Sequence, residues 1–99
     1  MDLEFTFRNL ESTEAIKGWA VRRFKKVEKH LTTEAASAHL TLSVDKHRHR
    51  AEMTVHVGGE VLRATEETDD MYTSMDKVME KLESAAQRQK ERSNNHRPH

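Results

Sequence analysis

The sequence predicts an α+β domain of two layers, in which a four-stranded sheet carries two helices on one face, in the order β-α-β-β-β-α. Two patterns lead to this prediction. Four segments alternate between apolar and polar residues, as half-buried strands do, and two longer segments repeat apolar residues at helical spacing. The chain has 99 residues, of which 34% are hydrophobic, so we expect one domain with a single modest core.

The first strand and the first helix are predicted within residues 2–31. Between residues 2 and 8, Leu3, Phe5 and Phe7 alternate with polar residues, which indicates a strand with one buried face. The stretch "STE" then offers an N-cap and an acidic first turn. Apolar residues follow at helical spacing and predict an amphipathic helix of about 17 residues. They are Ile16, Trp19, Ala20, Phe24, Val27 and Leu31.

Three more strands are predicted to follow as two hairpins. The stretch "KHRH", residues 46–49, is expected at the tip of the first hairpin. Gly58 and Gly59 are expected to form the second turn, because paired glycines tolerate positive φ. The last of these strands is predicted from Val61 to Thr65. The residues expected to face the core are Leu40, Leu42, Val44, Ala51, Met53, Val55, Val57, Leu62 and Ala64.

The second helix is predicted to begin after a cap at Thr68 or Asp69. Its apolar residues recur at helical spacing and should form the buried stripe of the helix. The domain is predicted to span residues 1–92, and residues 93–99 are expected to form a flexible tail. The stripe consists of Met71, Met75, Val78, Leu82 and Ala85.

Composition excludes several classes of protein. Cysteine is absent, which excludes disulfides, a thiol nucleophile and a cysteine-ligated zinc site. No apolar run approaches the roughly 20 residues of a membrane span and the N-terminus is unlike a signal peptide, so we expect a cytoplasmic protein without a membrane partner. The 17 basic and 17 acidic residues balance, but residues 17–30 are mainly basic and residues 60–70 mainly acidic. A neutral protein with separated charges can bind a polyanion with one face.

A row of basic residues on the second helix is the clearest functional signal. Its members are separated by four, seven and four residues, which keeps them on one helical face, and Ser84 fills the gap. They are Lys77, Lys81, Arg88 and Arg92; Lys90 lies off the row. The first helix adds Arg22, Arg23, Lys26 and Lys29. If the helices lie side by side, these residues should form one basic surface that suits nucleic-acid phosphates.

The stretch "DKHRHR" concentrates basic side chains at the predicted hairpin tip, where Lys46 and Arg48 would add to an RNA-facing surface. A metal site is one alternative, but His39 and His56 on the outer sheet face lack a third ligand. A histidine nuclease is another, but histidines at a mobile tip would not be oriented as acid and base. We therefore expect no catalytic residue, no metal and no cofactor.

Two further interpretations stay open at this level. A regulatory module could bind another protein through the acidic segment 60–70, instead of RNA through the basic helices. Tyr72, at the start of the second helix, could stack on a base. The interpretation that we favour is that it covers the edge of the core with its hydroxyl in water.

The segment "DDMYTSMDKVMEKLE", residues 69–83, resembles the signature of the bacterial ribosome hibernation promoting factors and the related ribosome-associated inhibitor, also called sigma-54 modulation proteins. The matching residues are Asp70, Met71, Tyr72, Asp76, Lys81, Leu82 and Glu83. Residues 12–31 resemble the family's first helix, with Thr13, Glu14, Ala15, Phe24, Lys26 and Glu28 in place. "TVHVGGE" resembles its glycine-rich hairpin.

The resemblance implies the same β-α-β-β-β-α order and a protein that is not an enzyme. It implies binding to the small ribosomal subunit, in competition with messenger and transfer RNA, and silenced translation in stationary phase or stress. The protein itself is expected to be a monomer, and whether the bound ribosomes form dimers is left open. The short tail resembles the short promoting factor more than the inhibitor.

The family's basic helix faces contact ribosomal RNA, and several residues of this chain match them. The matching residues are Arg23, Lys26, Lys81, Arg88, Lys90 and Arg92. The chain departs from the family pattern at Ser84, where a basic residue is frequent, and at Ala86, where a larger apolar residue is frequent. It also has Glu66 where a small inward-facing residue is common.

Overall fold

The computed structural model describes residues 3–31, 35 and 37–95, with the backbone alone for 92–95. Its elements are β1 Leu3–Arg8, α1 Glu14–Glu28, β2 Ser37–Asp45, β3 Arg48–Val57, β4 Glu60–Thr68 and α2 Met71–Asn95. The sheet order is β1-β2-β3-β4, with a parallel β1–β2 pair and antiparallel pairs elsewhere. The predicted α+β class and the β-α-β-β-β-α order are confirmed.

The strand register collects the apolar residues on one face of the sheet. Phe5 lies opposite Leu40 in the parallel pair, Leu40 lies opposite Met53, and Met53 opposite Ala64. Because side chains alternate across a strand, this register also places the neighbouring polar residues together on the other face. Both helices cover the apolar face, and their buried residues join those of the sheet in one cluster. The core therefore lies between the two layers.

The loops differ from the predictions in where the strands end. The β2–β3 turn contains only Lys46 and His47, with φ of 59° at Lys46, so the predicted four-residue tip was wrong. Pairing of the strands continues through Asp45 with Arg48, which leaves His49 inside β3 and half-buried. The Gly58–Gly59 turn is confirmed, with φ of 56° and 78°.

The helix starts are capped by side chains. Thr13 Oγ1 accepts a hydrogen bond of 3.1 Å from the amide of Ile16, which confirms the predicted start of α1. α1 has 15 residues and ends before Leu31, so it is shorter than predicted.

The cap of α2 is Asp70 and not Thr68 or Asp69. β4 extends three residues beyond its predicted end because Thr68 still pairs with His49 of β3. The Asp70 carboxylate accepts hydrogen bonds from the amide and the hydroxyl of Thr73, at 2.9 and 2.8 Å. These two hydrogen bonds hold the pKa of the Asp70 carboxyl below its ordinary value of 3.8, and the one from the backbone amide has the larger effect.

The buried stripe of α2 also differs from the predicted one. Ala86 is fully buried, whereas Ala85 is only partly covered, and Gln89 continues the stripe. A spacing of three or of four residues keeps two side chains on one face of a helix. After Leu82, packing against the sheet buries the residue four positions later, Ala86, and not the one three positions later. α2 runs to Asn95, so the first part of the predicted tail is helical; residues 96–99 lie outside the described residues.

Arg23 ties the two helices together. Its Nε donates to Asp76 Oδ1 at 3.0 Å and its guanidinium also binds Glu83, while its side chain is only 15% exposed. Burial lowers the pKa of Arg23, but the hydrogen bonds and charges of Glu83 and Asp76 outweigh it and raise the pKa above its ordinary value. Next to this bridge, Tyr72 meets Trp19 edge to face, with ring centroids 5.7 Å apart.

Replacement of Asp70 by alanine should lower the midpoint of thermal unfolding at pH 7, because the α2 cap is lost. The cap's contribution is complete above the ordinary pKa of 3.8 and is lost as the pH falls through the lower pKa of the folded state. The gap between wild type and Asp70→Ala should therefore shrink on acidification to about pH 3. Asp69→Ala is the control, and an equal loss in that variant would contradict the capping role.

Arg23→Met should lower the free energy of unfolding by about 1–2 kcal/mol, because hydrogen bonds to charged partners are lost and two carboxylates lose the cation that they share. Arg22→Met is the matched control, since the Arg22 side chain is exposed. Urea unfolding of both variants measures the difference. Equal stability of the two variants would show that the bridge does not hold the helices together.

Candidate nucleic-acid interface

Three residues of the predicted basic row line one side of a shallow open groove. Lys77, Lys81 and Arg88 lie there on α2 around Ser84, and β4 forms the opposite side. The groove carries four basic and two acidic side chains, which leaves a net charge of two positive units. Its full lining is Arg63, Glu66, Lys77, Glu80, Lys81, Ser84, Ala85 and Arg88.

The helices do not form the single basic surface that was predicted. Asp76 and Glu83 are seven residues apart on the side of α2 that binds Arg23 of α1. The basic row therefore lies on the other flank of α2, above β4. The cations therefore form two separate strips. One consists of the basic residues that line the groove, and the other of exposed basic residues on α1. The α1 strip consists of Arg22, Lys26 and Lys29.

Arg63 is a groove residue that the sequence analysis missed. In the sequence it is the one basic residue of the acidic segment 60–70, so it was not assigned to the basic surface. β4 lies at the edge of the sheet, beneath α2, and this position brings Arg63 into the lining of the same groove as Lys77 and Arg88. The position of Arg63 in the groove follows from the order of strands in the sheet, and no pattern within the β4 sequence indicates it.

Three of the predicted RNA contacts are already ion-paired within the protein. Arg23 is held between α1 and α2, as described above. Lys81 binds Glu66 of β4, and Arg48 donates to Glu67 at 2.9 Å. Lys77 and Arg88 make no ion pair with any residue that the structure describes, and they are exposed. The groove therefore contains both free and internally bound cations.

The remaining predicted contacts lie outside the groove. Lys46 is exposed in the β2–β3 turn, and Lys90 lies seven residues after Glu83, on the α1 side of α2. Tyr72 is 40% exposed and packs on Trp19, as expected of a residue that covers the edge of the core. Arg92 belongs to α2, but its side chain lies outside the described part of the chain.

The acidic segment 60–70 is largely used within the domain. Glu60 accepts a hydrogen bond of 3.0 Å from the buried Gln89, and Glu66 and Glu67 bind Lys81 and Arg48. Asp70 caps α2. A partner protein that needed this segment would have to displace these contacts, so the structure gives no support to an acidic docking site.

The histidines are dispersed. His39 hydrogen-bonds to Thr6 Oγ1 at 2.6 Å on the outer sheet face, and His49 lies inside β3 with its Nδ1 buried. Over residues 3–31, 35 and 37–91, where side chains are described, no three histidine or acidic side chains converge as metal ligands. Neither helix of the described chain has the length and apolar character that a membrane span requires.

Comparison with known proteins identifies the family. Residues 3–94 match the family model described as Sigma 54 modulation protein / S30EA ribosomal protein. A ribosome hibernation promoting factor of Salmonella typhimurium is 31% identical over 96 residues, which cover 97% of this chain and all of the relative. A ribosome hibernation promotion factor of a Picosynechococcus species is 32% identical, and the match covers 94% of this chain but 51% of the relative.

A solved structure shares the fold. The N-terminal domain of Protein Y from Thermus thermophilus superimposes with a TM-score of 0.81 at 28% sequence identity, over 89% of this chain and 98% of that domain. Its match covers both layers of the fold described above. This chain belongs to the Sigma 54 modulation protein / S30EA ribosomal protein family.

Proposed function

We propose that this protein is a ribosome hibernation factor, which binds the small ribosomal subunit where messenger and transfer RNA sit and thereby inhibits translation in stationary phase or stress. The observation that carries the proposal is the full-length similarity to proteins named ribosome hibernation promoting factor. The groove between α2 and β4 supports it, because a net positive groove with exposed, unpaired cations suits an RNA backbone.

The groove provides the principal contact with ribosomal RNA. From Lys77 to Arg88 the row extends about 16 Å along the helix axis, at 1.5 Å per residue, which is long enough to meet several phosphates. Arg63 contributes from β4. The exposed residues of α1 form a second strip on the same layer, and the two strips contact separate parts of the RNA. The cations bind phosphates by attraction and counterion release, without reading the base sequence.

The protein acts by occupying space, without chemistry. An RNA-bound domain at the decoding region excludes messenger and transfer RNA, so no acid, base or metal is needed. The alternative of a non-ribosomal module that binds protein through segment 60–70 is less well supported, since that segment's carboxylates serve Lys81, Arg48, Gln89 and the α2 cap.

Purified protein should reduce cell-free translation and compete with transfer RNA for the small subunit. It should co-sediment with small subunits at low salt and be released at moderate salt, because the contacts are electrostatic. Sucrose-gradient sedimentation across a salt series measures the co-sedimentation with small subunits and its loss as the salt concentration rises. If saturating protein leaves translation and transfer RNA binding unchanged, the proposed function is wrong. Gradients run with whole ribosomes show whether occupied ribosomes pair.

Arg88→Ala should weaken binding to the small subunit and reduce the salt slope of binding by roughly 0.7 to 0.9, because one phosphate contact is lost. Ser84→Arg should strengthen binding, since it fills the gap in the row with a cation. Arg8→Ala is the control, because it removes an exposed arginine at the end of β1, at the sheet edge opposite the groove. An affinity series in increasing salt tests the set. If Arg8→Ala had as large an effect as Arg88→Ala, the groove would not be the contact.

A further inference from the structure

Glu66 has an unusual position for a carboxylate. Side chains alternate between the two sides of a strand, and Glu66 is two residues after Ala64 and four after Leu62, both of which are buried. Glu66 is therefore on the side of β4 that faces the core. It lies opposite the fully buried Ala51 of β3, and its side chain is only 20% exposed. From this position, at the margin of the core, the carboxylate reaches the groove and binds the ammonium of Lys81.

The two partners of this ion pair differ in their surroundings. Glu66 has lost most of its water, so the carboxylate depends on its cation for compensation. Lys81 is 58% exposed and sits in the middle of the row between Lys77 and Arg88. An RNA phosphate that enters the groove meets Lys81 already bound to a carboxylate. The phosphate can gain Lys81 only by replacing Glu66 or by sharing the ammonium with it.

We infer that Glu66 is an internal competitor of RNA phosphate for Lys81 and thereby lowers the affinity of the groove for RNA. This inference rests on the proposed function, because it concerns the same groove. Glu66 acts through a single contact, the one with Lys81. Its effect on binding therefore exceeds that of a carboxylate that merely reduces the total charge of the groove.

Glu80 provides the comparison within the same groove. It also lines the groove and carries the same charge, but it makes no ion pair with any described residue. Glu80→Gln removes one negative charge from the groove and leaves the Lys81–Glu66 pair intact. Glu66→Gln removes one negative charge and also frees Lys81. The difference between the two variants isolates the competition.

The experiment measures binding of wild type, Glu66→Gln, Glu80→Gln, Lys81→Ala and the Glu66→Gln/Lys81→Ala double variant. The ligands are purified small ribosomal subunits and, separately, a short single-stranded poly(U) RNA at low salt. Glu66→Gln should bind both about two- to fivefold more tightly than Glu80→Gln, as expected for release of a partly exposed ion pair. In the Lys81→Ala background, Glu66→Gln should have no more effect than Glu80→Gln has in wild type. Thermal unfolding confirms that each variant is folded.

Two results would overturn the inference: equal gains from Glu66→Gln and Glu80→Gln, or a gain from Glu66→Gln that persists without Lys81. Either would mean that total charge alone matters. If the proposed function is wrong, the result differs from both of these, because wild type and variants would bind poly(U) but not the subunits. The measurements with poly(U) would then still decide the role of Glu66. Absence of binding to both ligands by all variants would reject the groove as an RNA site and the inference with it.

Discussion

Burial of one side of α2 against β3 and β4 decides where every charged residue of that helix points. Once Met75, Leu82 and Ala86 enter the core, the rotation of the helix about its axis is set. One flank then meets α1 and the other stands above β4. The first flank carries the carboxylates that bind Arg23, and the second carries the basic row. The groove is thus a consequence of how the core packs.

Internal ion pairs occupy several of the carboxylates that lie near the basic residues of this chain. Each of three carboxylate sites binds a cation from another element: Asp76 and Glu83 join α2 to α1, Glu66 joins β4 to α2, and Glu67 joins β4 to β3. The positive charge of the groove comes from its local composition, which is four basic and two acidic residues. The cations without such partners, including Lys77 and Arg88, are left to dominate the groove.

The same contacts divide the predicted RNA-binding residues by role. Arg23 is mostly buried and holds the helices together, so its first role is structural. Lys81 is exposed but shared with Glu66. A match to a family pattern identifies such residues without separating those that are free to bind RNA from those that already have a partner. That separation depends on distances between elements, which a linear pattern does not contain.

The sequence by itself determined the class of fold, the order of elements and most of the core, because the alternation of strands and the spacing of helices are local properties. It also indicated the family, through the segment of residues 69–83. Only the tertiary structure decided that His49 belongs to a strand, that Ala86 replaces Ala85 in the core, and that Arg63 joins Lys77 and Arg88. Each of these depends on pairing or packing between residues far apart in the chain: the register of β3 with its neighbours, the contact of α2 with the sheet, and the edge position of β4.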